Sequence, residues 1–326
     1  PIASTGYIAH QPPPPPKEEY SLEDLVSPDS PHGFRLQKWD GQVPMPIVNS
    51  EGHVVIVLAG CLNDPNWDSI HIAAADELEK AWLEVPWPNK GRTMCKRGNF
   101  HALHSGIAFG GGQPRPMNAH HNDMMAVILQ VLNQHWAIMH ITIFTSTVFL
   151  AWAPHLYHLY LNCIEVLLLH HLDLVCNFAS SICIWAAVTY NFGPCTVTWP
   201  HRDFQNLPYG WCCITALSCF DYCCGGHLIL WDLKLIIKFP PGSTILIPSA
   251  IVKHSNTYIT TNETQYLMTQ YSAGGLFHWV KHGFQKESEF WEQLDEETTC
   301  REQLKQCAHW ANGLDYFLSV NELSSL

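Results

Sequence analysis

The chain has 326 residues, 47% of them hydrophobic, and a formal net charge of −12. That length buries a substantial core in one large domain or two modest ones. The acidic balance excludes a protein whose whole surface binds nucleic acid, so a nucleic-acid substrate would need a local basic patch. The 13 cysteines, an odd number with adjacent pairs at Cys212–Cys213 and Cys223–Cys224, do not form the even framework of a disulfide scaffold.

Residues 1–35 carry a run of five prolines, Pro12–Pro16, and are expected to be a disordered, polyproline-like leader. The chain starts without the basic-then-apolar pattern of a secretory signal, so none is expected. Residues 36–193 read as a mixed, mainly helical region. Within it "HVVIVLAG" (53–60) predicts a buried strand and "SIHIAAADELEKAWLEV" (69–85) a helix with Ser69 near its cap. The basic candidate is "NKGRTMCKRGNF", which clusters Lys90, Arg92, Lys96 and Arg97; a solvated loop is the competing reading. "GIAFGGGQPRP" (106–116) must be a loop, and it lacks the lysine and hydroxyl of a phosphate-binding loop, so a tight structural turn is expected.

From Asn122 to Phe178 the pattern is helical and breaks at Pro154. The apolar stretch 136–153 holds His140 and several hydroxyl residues, which favours a buried helix over a membrane span. His155, His158, His170 and His171 lack a matching carboxylate and read as packed or surface histidines. From Cys195 the period changes to short strands, "CTVTWP", "WCCITAL", "HLILWDL", "KLIIKFP", "STILIPS" and "QYLMTQYSA", punctuated by Gly and Pro. This predicts an α+β fold: a jelly-roll (double-stranded β-helix) core over 194–284, with a helical region before it and a helical segment, 285–326, after it.

Within "TWPHRDFQNLPYG", His201 and Asp203 alternate on extended backbone and so share a face. His254 follows a later strand. Two histidines and a carboxylate match the facial triad of non-haem Fe(II) oxygenases, which leaves positions open for co-substrate and oxygen. A rival zinc reading falls on Cys219, Cys223, Cys224 and His227, although adjacent cysteines seldom share one ion.

"HRDFQNLPYG", "GGHLILWDLKLIIKFPPGSTILIPSAIVKHSNTYI" and "TQYSAGGLFHWV" resemble the fungal, transposon-associated branch of the ten-eleven translocation and J-binding protein (TET/JBP) dioxygenases. "RGNFHALHSGIAFGGGQPRP" and "HWANGLDYFLSVNEL" extend the resemblance over most of the chain. The resemblance implies Fe(II) on His201, Asp203 and His254, with 2-oxoglutarate as co-substrate and oxidation of modified bases in DNA, above all the methyl group of 5-methylcytosine. It also implies that Asn206 meets the Watson–Crick edge of a flipped cytosine and that Tyr271 packs on the same base. For Asn206, a turn residue beside Pro208 and Gly210 is the alternative.

Where the family has an arginine and, two residues later, a serine for the co-substrate's distal carboxylate, this chain has Gln265 and Leu267. A further family arginine is replaced by His278. The chain is therefore expected to be either an active oxygenase or a catalytically impaired member of the same family. A prolyl-hydroxylase-type protein oxygenase is a third reading, for which Thr264 and Gln265 supply no lysine. DNA as substrate implies a nuclear location; no membrane association and no stable protein partner are expected.

Overall fold

Alternate residues of the apolar runs point into two different cores, which is why those runs read as continuously hydrophobic. The computed structural model describes residues 6–13, 16–87, 95–179, 181 and 183–326. Lys90, Arg92 and part of the proline run lie outside the described residues.

The first third holds α1 (Leu22–Val26), β1 (Arg35–Gln37), β2 (Met45–Val48), β3 (Val54–Gly60), α2 (Trp67–Glu84), β4 (His101–Ala108) and β5 (Met117–Asn118). Three helices follow: α3 (Asp123–Gln134), α4 (Trp136–Trp152) and α5 (Pro154–His170). Next come β6 (Ala187–Phe192), β7 (Cys212–Leu217), β8 (Leu228–Leu230), β9 (Leu235–Ile237), β10 (Thr244–Ile247), β11 (His254–Asn256) and β12 (Tyr266–Tyr271). The chain ends in α6 (Gly274–Lys281), α7 (Glu287–Glu292), α8 (Glu296–Leu314) and α9 (Val320–Leu323). Among the described residues the fold is mixed α+β with two sheets. The larger has the order β2-β3-β10-β7-β12-β6-β4-β5 and the smaller β1-β9-β8-β11.

One face of the large sheet sends Val57, Cys213, Leu246, Met268 and Tyr190 into a core shared with α2, α4 and α5. The other sends Ile56, Leu58, Ile214, Ile245 and Leu267 against Leu228, Leu230 and Ile237 of the small sheet. Trp211 sits at the first core, fully buried, with its indole N–H donating to the Val55 carbonyl at 2.9 Å. Pro154 opens α5 at its first turn, where its missing N–H costs nothing. Among the described residues no single helix is long and apolar enough to cross a membrane. The pair α3 and α4 would qualify only together, and they are bent by 64°.

Several expectations change. The described part of 1–35 is anchored at intervals: Leu25 and Phe34 form a third core with Ile229 and Ile236 on the outer side of the small sheet. Tyr7 is buried, and the Ala9 N–H donates to the Phe204 carbonyl. Apolar residues spaced through the segment drive this, and the proline run conceals them. The sheets are not confined to 194–284, because β10 and β12 need neighbours and take β3 and β6 from the region before it. "CTVTWP" makes only isolated bridges. Pro194 and Pro200 bracket it, and the Asn256 side chain engages the Thr196 carbonyl and Thr198 N–H instead of a neighbouring strand. Helix α2 begins after Asn66, not Ser69.

Candidate metal centre

His201 and His254 are joined by a two-way backbone bridge, each N–H donating to the other's carbonyl at 2.9 Å. This brings their rings to 4.4 Å between centroids. Asp203 is fixed from both sides: its N–H donates to the Ser249 carbonyl at 2.9 Å, and its carbonyl accepts the Asn206 N–H at 2.8 Å. A sharp turn after the strand-like segment therefore aims all three side chains at one point.

Each imidazole is oriented by a backbone carbonyl. His201 Nδ1 lies 2.7 Å from the Trp199 oxygen and His254 Nδ1 2.9 Å from the Val252 oxygen. A carbonyl only accepts, so Nδ1 carries the proton and Nε2 keeps its lone pair for a metal. His201 Nε2 is 3.8 Å from Asp203 Oδ1, and His254 Nε2 is 3.9 Å from Oδ2. All three ligand atoms fall within 4.8 Å of one another, the one such group of His, Cys, Asp or Glu among the described residues. Burial lowers the His201 pKa to about 3, helped by His254 and Arg97, and it lowers His254 as well. For Asp203 burial acts upward, but Arg97 and the two histidines outweigh it and hold the carboxyl at about 2. Two neutral imidazoles and a carboxylate result, the donor set that suits Fe(II).

Asp203 Oδ1 is buried without an aligned hydrogen bond. Arg97 Nη2 stands 2.6 Å from it as a charge contact. Arg97 belongs to the basic cluster read from the sequence, but its guanidinium serves the carboxylate rather than an open patch. A carboxylate whose two oxygens each face an Nε2 atom, at 3.8 and 3.9 Å and too far for a hydrogen bond, is an arrangement that a cation would complete.

The triad opens on a cavity of about 320 Å³. Asn206 and Tyr271 line it, as do Gln265 and Leu267. The Asn206 amide donates to Ser249 Oγ at 3.0 Å, and the Tyr271 hydroxyl accepts from Thr189 Oγ1 at 3.3 Å. Phe109, Gly111 and Gln113 also line the cavity, so the glycine-rich segment forms part of its wall rather than a remote turn. His278 lies elsewhere, stacked on Tyr7 in a second cavity. The zinc candidates do not assemble: Cys219, Cys223 and Cys224 are exposed while His227 is buried and bonded to Thr257. Sequence reasoning missed Asn256, which lines the cavity and bonds Gln265. Its spacing, two residues beyond His254 on one strand, was the available signal.

The iron fits; 2-oxoglutarate fits less well. Its second carboxylate calls for a cation, and among the described residues Arg97 is the one Lys or Arg lining the cavity, already at Asp203.

No protein-family model matches the chain, and no curated protein matches its sequence. Solved structures do. NgTET1 in complex with 5mC DNA is similar at TM-score 0.46 and 12% identity, over 74% of this chain and 83% of that one. An oxidoreductase of the 2OG-Fe(II) oxygenase family from Burkholderia pseudomallei is similar at TM-score 0.34 and 15% identity, over 65% of this chain and 93% of that one. At these scores neither neighbour bears on function.

Proposed function

We propose that the chain is a non-haem Fe(II) protein of the dioxygenase type whose substrate is a base in DNA, with 5-methylcytosine the first candidate. The observation that carries this reading is the buried group His201, Asp203 and His254, with both Nδ1 atoms tied to backbone carbonyls and both Nε2 atoms turned toward the carboxylate. In this reading the two facing sheets form a double-stranded β-helix, and the sequence motifs belong to the TET/JBP pattern in its transposon-associated branch. Bound iron supplies activation of oxygen toward an unreactive C–H bond.

The chain's own residues do the rest. The Trp199 and Val252 carbonyls hold the imidazoles, and Ser249 holds the Asp203 backbone. An extruded base enters beside Phe109 and Gln113, packs on Tyr271 and presents its edge to Asn206. Lys96, exposed next to Arg97, places positive charge near the strand. A nuclear location follows from this substrate.

A second reading is favoured by Gln265 and Leu267: an impaired member of the same group that keeps the metal and lacks turnover with 2-oxoglutarate. A prolyl-hydroxylase-type oxygenase has less support, since the strand that would bear its lysine carries Thr264 and Gln265. The test is anaerobic loading with Fe(II), then air, a 5-methylcytosine oligonucleotide and a panel of 2-oxo acids that includes 2-oxoglutarate. Mass spectrometry of the nucleosides is expected to reveal oxidised 5-methylcytosine with at least one 2-oxo acid. Unaltered 5-methylcytosine across the panel, with iron bound, contradicts turnover and leaves the impaired reading.

A further inference from the structure

The face of β12 that lines the cavity carries Leu267, Thr269 and Tyr271, continued by Gln265 just before the strand, and the matching face of β11 carries His254 and Asn256. Tyr271 lies at the Arg97 end. Gln265 lies at the other, fully buried. Two residues along a strand span about 7 Å, so Asn256 marks the depth that a short ligand reaches when one end sits at His254. There the Asn256 amide donates to Gln265 Oε1 at 3.2 Å, and Gln265 Nε2 donates to the Gly226 carbonyl at 3.4 Å. Asn256 Oδ1 is taken by the Thr198 N–H and hydroxyl, both at 2.8 Å. This pair of amides is committed to the protein and carries no charge.

The wall around it carries no charge and is mainly apolar. Leu228 is the cross-strand partner of Asn256, and Leu267 and Phe239 also line the cavity; the polar neighbour Thr198 is already committed to Asn256 Oδ1. His227, next in sequence to Leu228, offers no cation at neutral pH: burial lowers its pKa to about 4, with Lys238 adding to the effect. A carboxylate at this depth would be buried without a counter-charge, at a cost of several kcal/mol. An alkyl group there would gain by leaving water.

We propose that the ligand sharing the metal with the triad is a 2-oxo acid with an uncharged aliphatic tail, not a 2-oxo dicarboxylate. The oxo-acid end meets the metal, and the tail lies between Leu228, Leu267 and Phe239 with the Gln265–Asn256 pair as its floor. This inference rests on the metal-centre reading.

The test uses the full chain loaded anaerobically with Fe(II), after a separate metal titration. Binding of 4-methyl-2-oxopentanoate and of 2-oxoglutarate is followed by the visible charge-transfer band of an Fe(II)–2-oxo acid complex and by calorimetry. The branched monocarboxylate is expected to bind tighter by about tenfold or more. Gln265→Arg is expected to reverse the order; if that variant does not fold, the ranking on the unmodified chain decides alone. Equal or tighter binding of 2-oxoglutarate overturns the inference, as does metal binding with neither acid retained. Failure in the metal titration overturns the metal-centre reading, and this inference with it.

Discussion

Asp203→Ala is expected to lower divalent-metal affinity by about 100-fold or more, with the fold retained. The substitution removes the one carboxylate among the three ligands and leaves two imidazoles that cannot hold the ion alone. Stability without metal should fall only modestly, since the carboxylate held at a low pKa by Arg97 is lost. Arg97, the partner that loses its counter-charge, is 49% exposed and can turn to water. The two effects separate in thermal melts with and without Mn(II). The unmodified chain gains stability by mass action, while the variant melts at one temperature in both conditions. A variant that still responds to Mn(II) would place the ion elsewhere.

Gly274→Ala is expected to destabilise the protein by about 2–4 kcal/mol. A Cβ at this position would lie 1.6 Å from the Tyr7 carbonyl oxygen and 2.8 Å from its carbon, both backbone atoms. The Gly274 N–H donates to the Gln205 carbonyl at 2.8 Å while the Ala9 N–H holds the Phe204 carbonyl at 2.9 Å. Residues 7–9 are thus laid across the loop that follows Asp203, and the clash lifts them from it. Urea denaturation measures the loss, and limited proteolysis should reveal new cleavage between residues 6 and 13. Gly111→Ala is the control, because its Cβ would meet only the Gln113 side chain at 3.4 Å. Equal midpoints for the two variants would mean that the N-terminal segment is not held here.

The triad was legible because period-2 alternation ties His201 to Asp203, and His254 follows the later buried strand β10. Helices α3 to α5 were legible from their length and from Pro154. The anchored N-terminal segment was not. Leu25 and Phe34 are spaced too irregularly for a periodic signal, and their partners Ile229 and Ile236 lie about 200 residues away in sequence. A separation of about 100 residues likewise hid the role of Arg97. Its charge is visible in the sequence, but the carboxylate it faces is brought near only by the bridge between Gly98 and Thr198. "CTVTWP" read as a strand because its residue types favour one, whereas a side chain, Asn256, took the place of the neighbouring ladder. The neutral end of the cavity was half visible: Gln265 and Leu267 could be named, while Asn256, Leu228 and Phe239 converge on them only in the fold.

The most direct test of the metal centre is a Co(II) titration of the unmodified chain, followed by absorption. One equivalent should bind and give the weak d–d bands of a nitrogen and oxygen site, without an intense sulfur charge-transfer band. No binding, or a thiolate band that points to Cys219, Cys223 and Cys224, would contradict a centre built from His201, Asp203 and His254.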